Sequence, residues 1–161
     1  MDALGAWLHA HVPESDETTL VHGDYRFDNM IFHPTEPRVL AVLDWELSTL
    51  GHPLADLAYN CMPYHAAMRG SPALADVAGP KSGIPTEASY VARYCERTGR
   101  ASIPDFAFYL GFSFFRLVSI AQGVYHRGLR GNASSAEDAK GMRARAVEAA
   151  TTGLRVVSGA R

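Results

Sequence analysis

The sequence predicts an α+β fold that is mostly helical, with a small β-rich region near the amino terminus that carries a cluster of polar residues. Two observations predict this class. Short β-branched and apolar runs are confined to the first 50 residues, and apolar residues at helical spacing dominate the rest of the chain. Strands followed by helices do not give the alternation of a doubly wound sheet. A chain of 161 residues is long enough for one domain, residues 1–161, with a sizeable core.

The β-rich region is expected to hold three strands. Apolar residues at helical spacing first indicate a short helix, which ends at Pro13 and an acidic run. Strands are predicted at residues 18–21, 30–32 and 38–43. Two prolines between the second and third strands predict a turn, so these two strands should form a hairpin.

The remainder of the chain is predicted to be helical. One helix should begin near Pro53, because proline suits a first helical turn. Further helices are predicted at residues 86–97, 103–125 and 136–157, with loops at residues 68–85 and 128–135. Ser134 or Ser135 is a plausible N-cap for the last helix. Aromatic residues of the long helix are expected to pack in the core, namely Phe106, Phe108, Tyr109, Phe112, Phe114 and Phe115.

Composition excludes several classes of protein. Fifteen basic against seventeen acidic side chains give a net charge of -2, which is no basis for binding nucleic acid. No apolar run of about 18 residues or more occurs, so no membrane span is expected. Cys61 and Cys95 are far apart in the sequence, which favours two buried free thiols in a reducing compartment over a disulfide framework or a zinc site. The first residues do not resemble a signal peptide. A cytoplasmic protein is the expectation.

The polar cluster has a spacing that suits phosphoryl transfer. His22, Asp24 and Asn29 give the form H-x-D-x-x-x-x-N, the spacing of a kinase catalytic loop, and Asp44 follows the predicted hairpin. Mg²⁺ prefers hard oxygen ligands, which a carboxylate and an amide both supply. A second carboxylate, free of metal, can orient and deprotonate a substrate hydroxyl.

Each of these residues also has a simpler interpretation. Asp24 and Asn29 are common turn-capping residues, and Asp44 could cap a helix or a turn. His22 is more readily a structural histidine than an acid or base. Glu46 could contact a metal or face solvent, and Arg26 could brace the loop or contact substrate.

The segments LVHGDYRFDNMIF and VLAVLDWELSTLGHPLADLAY carry a resemblance to a known family. They resemble the aminoglycoside phosphotransferase and choline kinase-like enzymes, which are relatives of protein kinases. The resemblance is dense over residues 20–64. It is strongest to the branch that occurs as stand-alone bacterial proteins and as kinase domains fused to acyl-CoA dehydrogenases. The fold that it implies is the C-terminal lobe of a protein-kinase-like fold, with a small β-hairpin carrying the catalytic loop.

The resemblance also implies roles for individual residues. Asp24 would be the catalytic base, and Asn29 and Asp44 would hold the Mg²⁺ that accompanies ATP. His22 would brace the catalytic loop, and Arg26 would approach the substrate or the phosphate. Asp56 looks like the family's buried aspartate that hydrogen-bonds the backbone of the loop.

One half of such an enzyme has no counterpart in this sequence. About twenty residues precede His22, with no glycine-rich loop, and no lysine precedes Lys81. The β-rich N-terminal lobe that grips the nucleotide is therefore expected to be absent. The chain could be a piece of a longer enzyme, a remnant that binds ATP poorly, or one that works with a partner chain supplying the first lobe. Apolar surface around Trp7 and residues 18–21 would then be exposed, which favours such a lobe or a homodimer partner.

The expected function is transfer of a phosphoryl group from ATP to the hydroxyl of a small molecule. Residues 86–130 carry three acidic side chains against six arginines, which suits an anionic acceptor better than a polycationic antibiotic. A hydroxy acid or its CoA thioester is the candidate acceptor, although these arginines could equally form a solvated face. The alternatives are a non-catalytic kinase-like remnant or binding module, and metal-dependent hydrolysis by the same carboxylates.

Overall fold

The computed structural model describes residues 1–67, 71–129 and 136–159, and the side chains of residues 129 and 136–140 lie outside this description. One helix precedes two small sheets, and the other helices follow them. The helices are α1 (Asp2–Ala10), α2 (Leu54–Cys61), α3 (Leu74–Val77), α4 (Glu87–Thr98), α5 (Phe106–Leu129) and α6 (Ala136–Val157). The strands are β1 (Thr19–Val21), β2 (Met30–Phe32), β3 (Val39–Val42) and β4 (Thr49–Gly51).

Each sheet has two antiparallel strands. β2 and β3 form the predicted hairpin, in which Met30 pairs with Val42. β1 pairs with β4, so that Val21 lies opposite Thr49. The sequence prediction contained β1, β2 and β3 but missed β4. The segment Thr49–Gly51 is only three residues long and ends in glycine, and its partner strand is distant in sequence, so no local pattern marks it.

Other boundaries differ from the prediction in smaller ways. The segment 71–85 was predicted as a loop, but it contains α3 and a bridge between Gly79 and Ile84. Helix α5 runs to Leu129, beyond the predicted end at residue 125. The predicted cap at Ser134 or Ser135 lies outside the described residues. Thr86 caps α4, because its hydroxyl accepts a hydrogen bond from the Ser89 amide at 3.2 Å.

Helix α5 is the centre of the core and packs against α6, α2 and α1. Phe114 is fully buried, and Tyr109 is nearly so, as predicted for the aromatic residues of this helix. Phe112 is an exception, because 37% of it is exposed. Both cysteines are buried free thiols, and burial raises the pKa of Cys61 to about 12.

By length and composition alone, the stretch Phe106–Gly128 of α5 would suffice to cross a membrane. Core helices pass the same test. Here Phe114 and Val118 pack in the protein interior, and Arg116 at the middle of the helix donates a hydrogen bond to the Gly23 carbonyl oxygen at 2.8 Å. Of the apolar window, 39% is buried inside the protein.

Large apolar side chains are exposed on the two small sheets. We call this set the sheet surface; its most exposed members are Leu50 at 74% and Leu20 at 62%, and it also includes Ile31, Phe32, Val39 and Leu40. The predicted exposure around Trp7 is smaller than expected, since Trp7 is half-buried and stacks on His11 with ring centroids 4.1 Å apart. The most exposed large apolar side chain, Leu50, therefore lies on a strand, although others such as Val12 and Phe27 lie outside the sheets.

Close packing of α6 against its neighbours depends on Gly153. A β-carbon there would lie 2.7 Å from Leu4 Cδ2 and 3.0 Å from Phe114 Cβ. We expect Gly153→Ala to lower the free energy of unfolding by about 1–3 kcal/mol, because overpacking outweighs the better helix propensity of alanine. Gly141→Ala in the same helix should instead raise it by about 0.5–1 kcal/mol, since a β-carbon there meets nothing within 4 Å. Urea denaturation of both variants checks the opposite signs; equal effects would contradict the packing argument.

Candidate active site

Asp56, on the first turn of α2, holds the loop after β1 in place through hydrogen bonds to its backbone. Asp56 Oδ2 accepts a hydrogen bond from the His22 amide at 2.6 Å, and Oδ1 accepts one from the Gly23 amide at 2.9 Å. Gly23 has a φ of +83°, a conformation that favours glycine. One carboxylate thus fixes two consecutive peptide groups just before Asp24.

His22 connects this loop to the end of β3. The side chain is buried, and its Nδ1 accepts a hydrogen bond from the Asp24 amide at 3.2 Å. Its proton must therefore reside on Nε2, which donates to the Leu43 carbonyl oxygen at 2.8 Å. His22 holds Asp24 and the residue before Asp44 in a fixed relation, without contributing a free nitrogen for acid–base chemistry.

Asp24 and Asn29 are in direct contact. Asn29 Nδ2 donates to both the carbonyl oxygen and Oδ2 of Asp24, each at 2.9 Å. Arg26 Nε also donates to Asp24 Oδ2, at 3.0 Å. The Asp24 side chain is 16% exposed and Asn29 is buried, so the carboxylate is held firmly but remains accessible.

These contacts keep the Asp24 carboxyl ionised. Burial pushes its pKa upward, but hydrogen bonds from Tyr59 and Asn29 and the charge of Arg26 outweigh burial, so the pKa lies below its ordinary value. Burial and the contact with Asp24 raise the pKa of Tyr59 to about 12, so its hydroxyl keeps its proton. An ionised carboxylate at neutral pH is the form that can accept a proton from a hydroxyl.

Asp44 lies at the same end of the hairpin as Asn29. The Leu43 amide donates to the Asn29 carbonyl oxygen at 2.8 Å, which continues the β2–β3 pairing up to the residue before Asp44. Asp44 has a φ of 64° and a ψ of 53° and is the only non-glycine residue with positive φ in the described part of the chain. A left-handed backbone at a non-glycine residue costs about 1–2 kcal/mol and is often found at functional sites.

The donor set fits a magnesium ion that is shared with phosphate groups. Both amide hydrogens of Asn29 are directed at Asp24, which leaves its Oδ1 as an available acceptor. The Asp44 carboxylate is exposed and makes no hydrogen bond or ion pair with the residues described. Within residues 1–67, 71–129 and 136–159, no group of three or more His, Cys, Asp or Glu side chains could hold a metal ion by itself. Mg²⁺ commonly binds in this way, through one or two protein ligands plus substrate phosphates and water.

Arg26 contacts acidic side chains of its own loop. Besides Asp24, it reaches Asp28, with Nη1 3.2 Å from Asp28 Oδ2. In this arrangement Arg26 restrains the Asp24 carboxylate, and contact with a substrate stays a prediction. Glu46 is exposed in the turn after Asp44.

Two residues that contact the site were not predicted from the sequence. Tyr59 hydrogen-bonds Asp24, and it lies one helical turn after Asp56 on α2, a spacing that places both on one face. Arg116 bonds the Gly23 carbonyl oxygen, and its guanidinium carbon lies 5.7 Å from the centre of the Tyr59 ring. The sequence signal for Tyr59 was its helical spacing from Asp56, and the signal for Arg116 was its position as a single charge within an apolar helix.

A cavity of about 770 Å³ adjoins this loop at Tyr25, and its wall does not include Asp24, Asn29 or Asp44. Tyr25 and Asp56 form part of its wall, and α4 contributes Tyr90, Arg93 and Arg97. Asn60 ties the wall together, because its Nδ2 donates to the Tyr25 carbonyl oxygen at 3.1 Å while its Oδ1 accepts from the Tyr90 hydroxyl at 3.1 Å. The volume is in the range of small-molecule sites.

Comparison with known proteins identifies the family. The model of the phosphotransferase enzyme family (APH) matches residues 1–100. The chain belongs to the phosphotransferase enzyme family. The resemblance drawn from the sequence is therefore confirmed.

Solved and curated relatives agree with this membership. A crystal structure from Ralstonia eutropha, of a protein assigned but not established as an aminoglycoside phosphotransferase, superposes with a TM-score of 0.86 at 50% identity. The match covers 99% of this chain and 49% of that chain. The mostly helical phosphotransferase fold with its small hairpin is therefore confirmed.

The curated relatives of this phosphotransferase-family chain are much longer proteins. Acyl-CoA dehydrogenase family member 10 of Mus musculus is 51% identical over 141 residues, and member 11 of Homo sapiens is 46% identical over 137 residues. Each match covers 84% of this chain. The chain spans only 13% of the mouse protein and 18% of the human one.

Proposed function

We propose that this chain is the catalytic lobe of an ATP- and Mg²⁺-dependent phosphotransferase that acts on a hydroxyl group of a small molecule. The observation that carries the proposal is the contact between Asp24 and Asn29, with Asp44 emerging beside them at the end of the hairpin. This arrangement separates one carboxylate for proton transfer from an amide oxygen and a second carboxylate for a metal ion.

The residues of the chain have distinct roles in this proposal. Asp24, ionised and oriented by Asn29 and Arg26, accepts the hydrogen bond and then the proton of the attacking hydroxyl. Asn29 Oδ1 and the Asp44 carboxylate would hold Mg²⁺, which when bound neutralises charge on the phosphates. His22 and Asp56 keep these groups in place before substrate arrives, and such positioning supplies much of the rate of phosphoryl transfer.

The acceptor that we propose is a hydroxy acid or its CoA thioester. The excess of arginine over acidic side chains in the helical region supports an anionic acceptor. Relatives named as acyl-CoA dehydrogenase family members support a substrate related to acyl groups. A cytoplasmic location accords with the two free thiols.

A non-catalytic binding module is the second candidate. The chain spans only 49% of the solved relative, and a kinase also needs a nucleotide-gripping lobe besides its catalytic loop. Retention of Asp24, Asn29 and Asp44 in a bonded arrangement favours catalysis over this alternative.

The sheet surface is proposed to receive a β-rich nucleotide-binding lobe. The solved relative has about as much chain outside the match as within it, and the sheet surface includes the hairpin that leads to Asn29 and Asp44. If the lobe is missing in solution, the isolated chain should bind an apolar dye or self-associate. A monomer by sedimentation that binds no dye would contradict this assignment, and a defined dimer would favour a second copy as the occupant.

Calorimetric titration with ATP and Mg²⁺ tests the proposed function. The chain should bind the nucleotide only when Mg²⁺ is present, and Asp44→Ala should weaken binding about tenfold or more, because a charged metal ligand is lost. Glu148→Ala, which removes an exposed carboxylate from α6, is the matched control and should leave binding unchanged.

The two negative outcomes have different meanings. Absence of binding by the wild-type chain would favour the non-catalytic module. Binding that is insensitive to Asp44→Ala would show that the metal assignment is wrong.

A further inference from the structure

One contact to the Asp24 carboxylate comes from outside the catalytic loop. Asn29 and Arg26, which hydrogen-bond the carboxylate at 2.9 Å and 3.0 Å, both belong to the loop itself. The Tyr59 hydroxyl also bonds the carboxylate, and Tyr59 lies on α2. Among the residues that the structure describes, Tyr59 is therefore the direct link between the Asp24 side chain and the helices.

The ring of Tyr59 is fixed on more than one side. It packs against a buried cluster of the core that contains Phe114 and Val118 of α5. The guanidinium carbon of Arg116 lies 5.7 Å from the centre of the ring, which is within the range of a cation–π contact. A ring held in this way leaves its hydroxyl little freedom to move, so the hydroxyl can act as a fixed point for the carboxylate.

The same two helices also fix the backbone beside Asp24. Asp56, three residues before Tyr59 and on the same face of α2, accepts a hydrogen bond from the Gly23 amide at 2.9 Å. Arg116 of α5 donates to the Gly23 carbonyl oxygen at 2.8 Å. Helices α2 and α5 therefore hold both the backbone and the side chain at the position of the proposed base.

The Tyr59 hydroxyl has a task that the loop contacts cannot perform alone. Asn29 is a proposed ligand of Mg²⁺, and Arg26 also contacts Asp28, so both of these partners can rearrange when substrates bind. Tyr59 is not a proposed ligand, and its ring is held by the core. Its hydroxyl keeps its proton and so donates to the carboxylate, and a hydrogen bond to a charged acceptor is stronger than one between neutral groups.

We infer that Tyr59 is a positioning residue for the reaction: its hydroxyl anchors the Asp24 carboxylate to the helical core in the orientation that proton transfer requires. This inference rests on the proposed phosphotransferase function for its catalytic meaning, but the anchoring itself can be measured without turnover. A catalytic group that is slightly misplaced lowers the rate without weakening substrate binding, so the effect should appear in kcat. A tyrosine that only fills space in the core would affect folding alone.

The first measurement is steady-state kinetics of Tyr59→Phe, which removes the hydroxyl and keeps the ring. ADP release is followed with hydroxyhexanoate and with hydroxyhexanoyl-CoA as acceptors. The kcat should fall about tenfold, while the KM values for ATP with Mg²⁺ and for the acceptor should stay within about twofold. Tyr64→Phe is the matched control, because it removes a hydroxyl that donates to the Pro85 carbonyl oxygen at 2.8 Å, and its kcat should equal that of the wild-type chain.

The second measurement needs no substrate. Urea denaturation of Tyr59→Phe, Asp24→Ala and the double variant forms a double-mutant cycle. Tyr59→Phe should raise the unfolding equilibrium constant about fivefold or more in the wild-type background. In the Asp24→Ala background it should raise the constant less than about twofold, because the hydroxyl then has no carboxylate to bind. Tyr64→Phe should have the same effect in both backgrounds.

The results separate the inference from the proposed function. The inference is overturned if the kcat of Tyr59→Phe lies within about twofold of wild type, if Tyr64→Phe lowers kcat equally, or if Tyr59→Phe has equal effects on unfolding in both backgrounds. The proposed function stands in each of these cases, because the wild-type chain turns over. If the wild-type chain releases no ADP with either acceptor, the proposed function fails. Coupling in the cycle then shows a structural contact only, and the role of Tyr59 in the reaction is rejected.

Discussion

Asp24→Asn should lower the rate of phosphoryl transfer about 10²- to 10⁴-fold, the usual contribution of a general base. Asparagine keeps the size of the side chain and can still accept a hydrogen bond from Asn29, but it cannot take the proton of the acceptor hydroxyl. Nucleotide binding should change little, because Asp24 is not one of the proposed metal ligands. The rate of ADP release with a hydroxy acid as acceptor, followed in a coupled assay, gives the measurement.

A matched control distinguishes the loss of a base from a loss of loop charge. Asp28→Asn removes one negative charge from the same loop at an exposed carboxylate, and should cost far less activity. Similar losses in both variants would mean that charge in the loop, rather than proton transfer at Asp24, limits the rate. An Asp24→Asn variant with wild-type activity would contradict the assignment of the base.

The second large effect is expected at Gly23. A β-carbon there would lie 2.5 Å from the Leu47 carbonyl oxygen, and the φ of +83° adds strain for any other residue. The closest atoms belong to the Leu47 backbone, which cannot move aside as the end of a flexible side chain could. We expect Gly23→Ala to lower the free energy of unfolding by about 3 kcal/mol or more, combining left-handed strain with overpacking. Urea denaturation measures the change.

Gly83→Ala serves as the control for backbone strain alone. Gly83 also has a positive φ, of 71°, but a β-carbon there meets nothing within 4 Å. Its replacement should cost only about 1 kcal/mol. If the two variants are destabilised equally, the contact with Leu47 has no measurable cost, and the close approach of the loop to the turn after Asp44 is less rigid than the structure indicates.

The parts of the site that could be predicted from the sequence are those with a local signature. The five-residue interval from Asp24 to Asn29 and the proline-rich turn between β2 and β3 depend on neighbours in sequence, and the structure places both as the pattern requires. Side-chain chemistry then restricts what such a loop can do. The roles assigned to these residues stay predictions until the variants are measured.

Long-range contacts account for what the sequence did not predict. Strand β4 forms only because β1 is available to pair with it. A segment of three residues has too short a sequence pattern to predict a strand. Tyr59 and Arg116 reach the loop from two different helices, and nothing in their immediate sequence specifies that meeting. Arg93 and Arg97 were counted as part of a charge balance, but only the packing of α4 near Tyr25 turns them into a cavity wall.

The pairing of β1 with β4 restricts how this protein can be regulated. The segment that bears Asp44 is anchored at its start by His22 and Asn29, through bonds to Leu43, and at its end by the pairing of Val21 with Thr49. Many kinases are turned on and off by an order–disorder change of a long segment after the metal-binding aspartate. Only five residues lie between the two anchors, so disorder of this segment would require the β1–β4 strand pair to separate. The structure therefore disfavours control by an order–disorder change at this position.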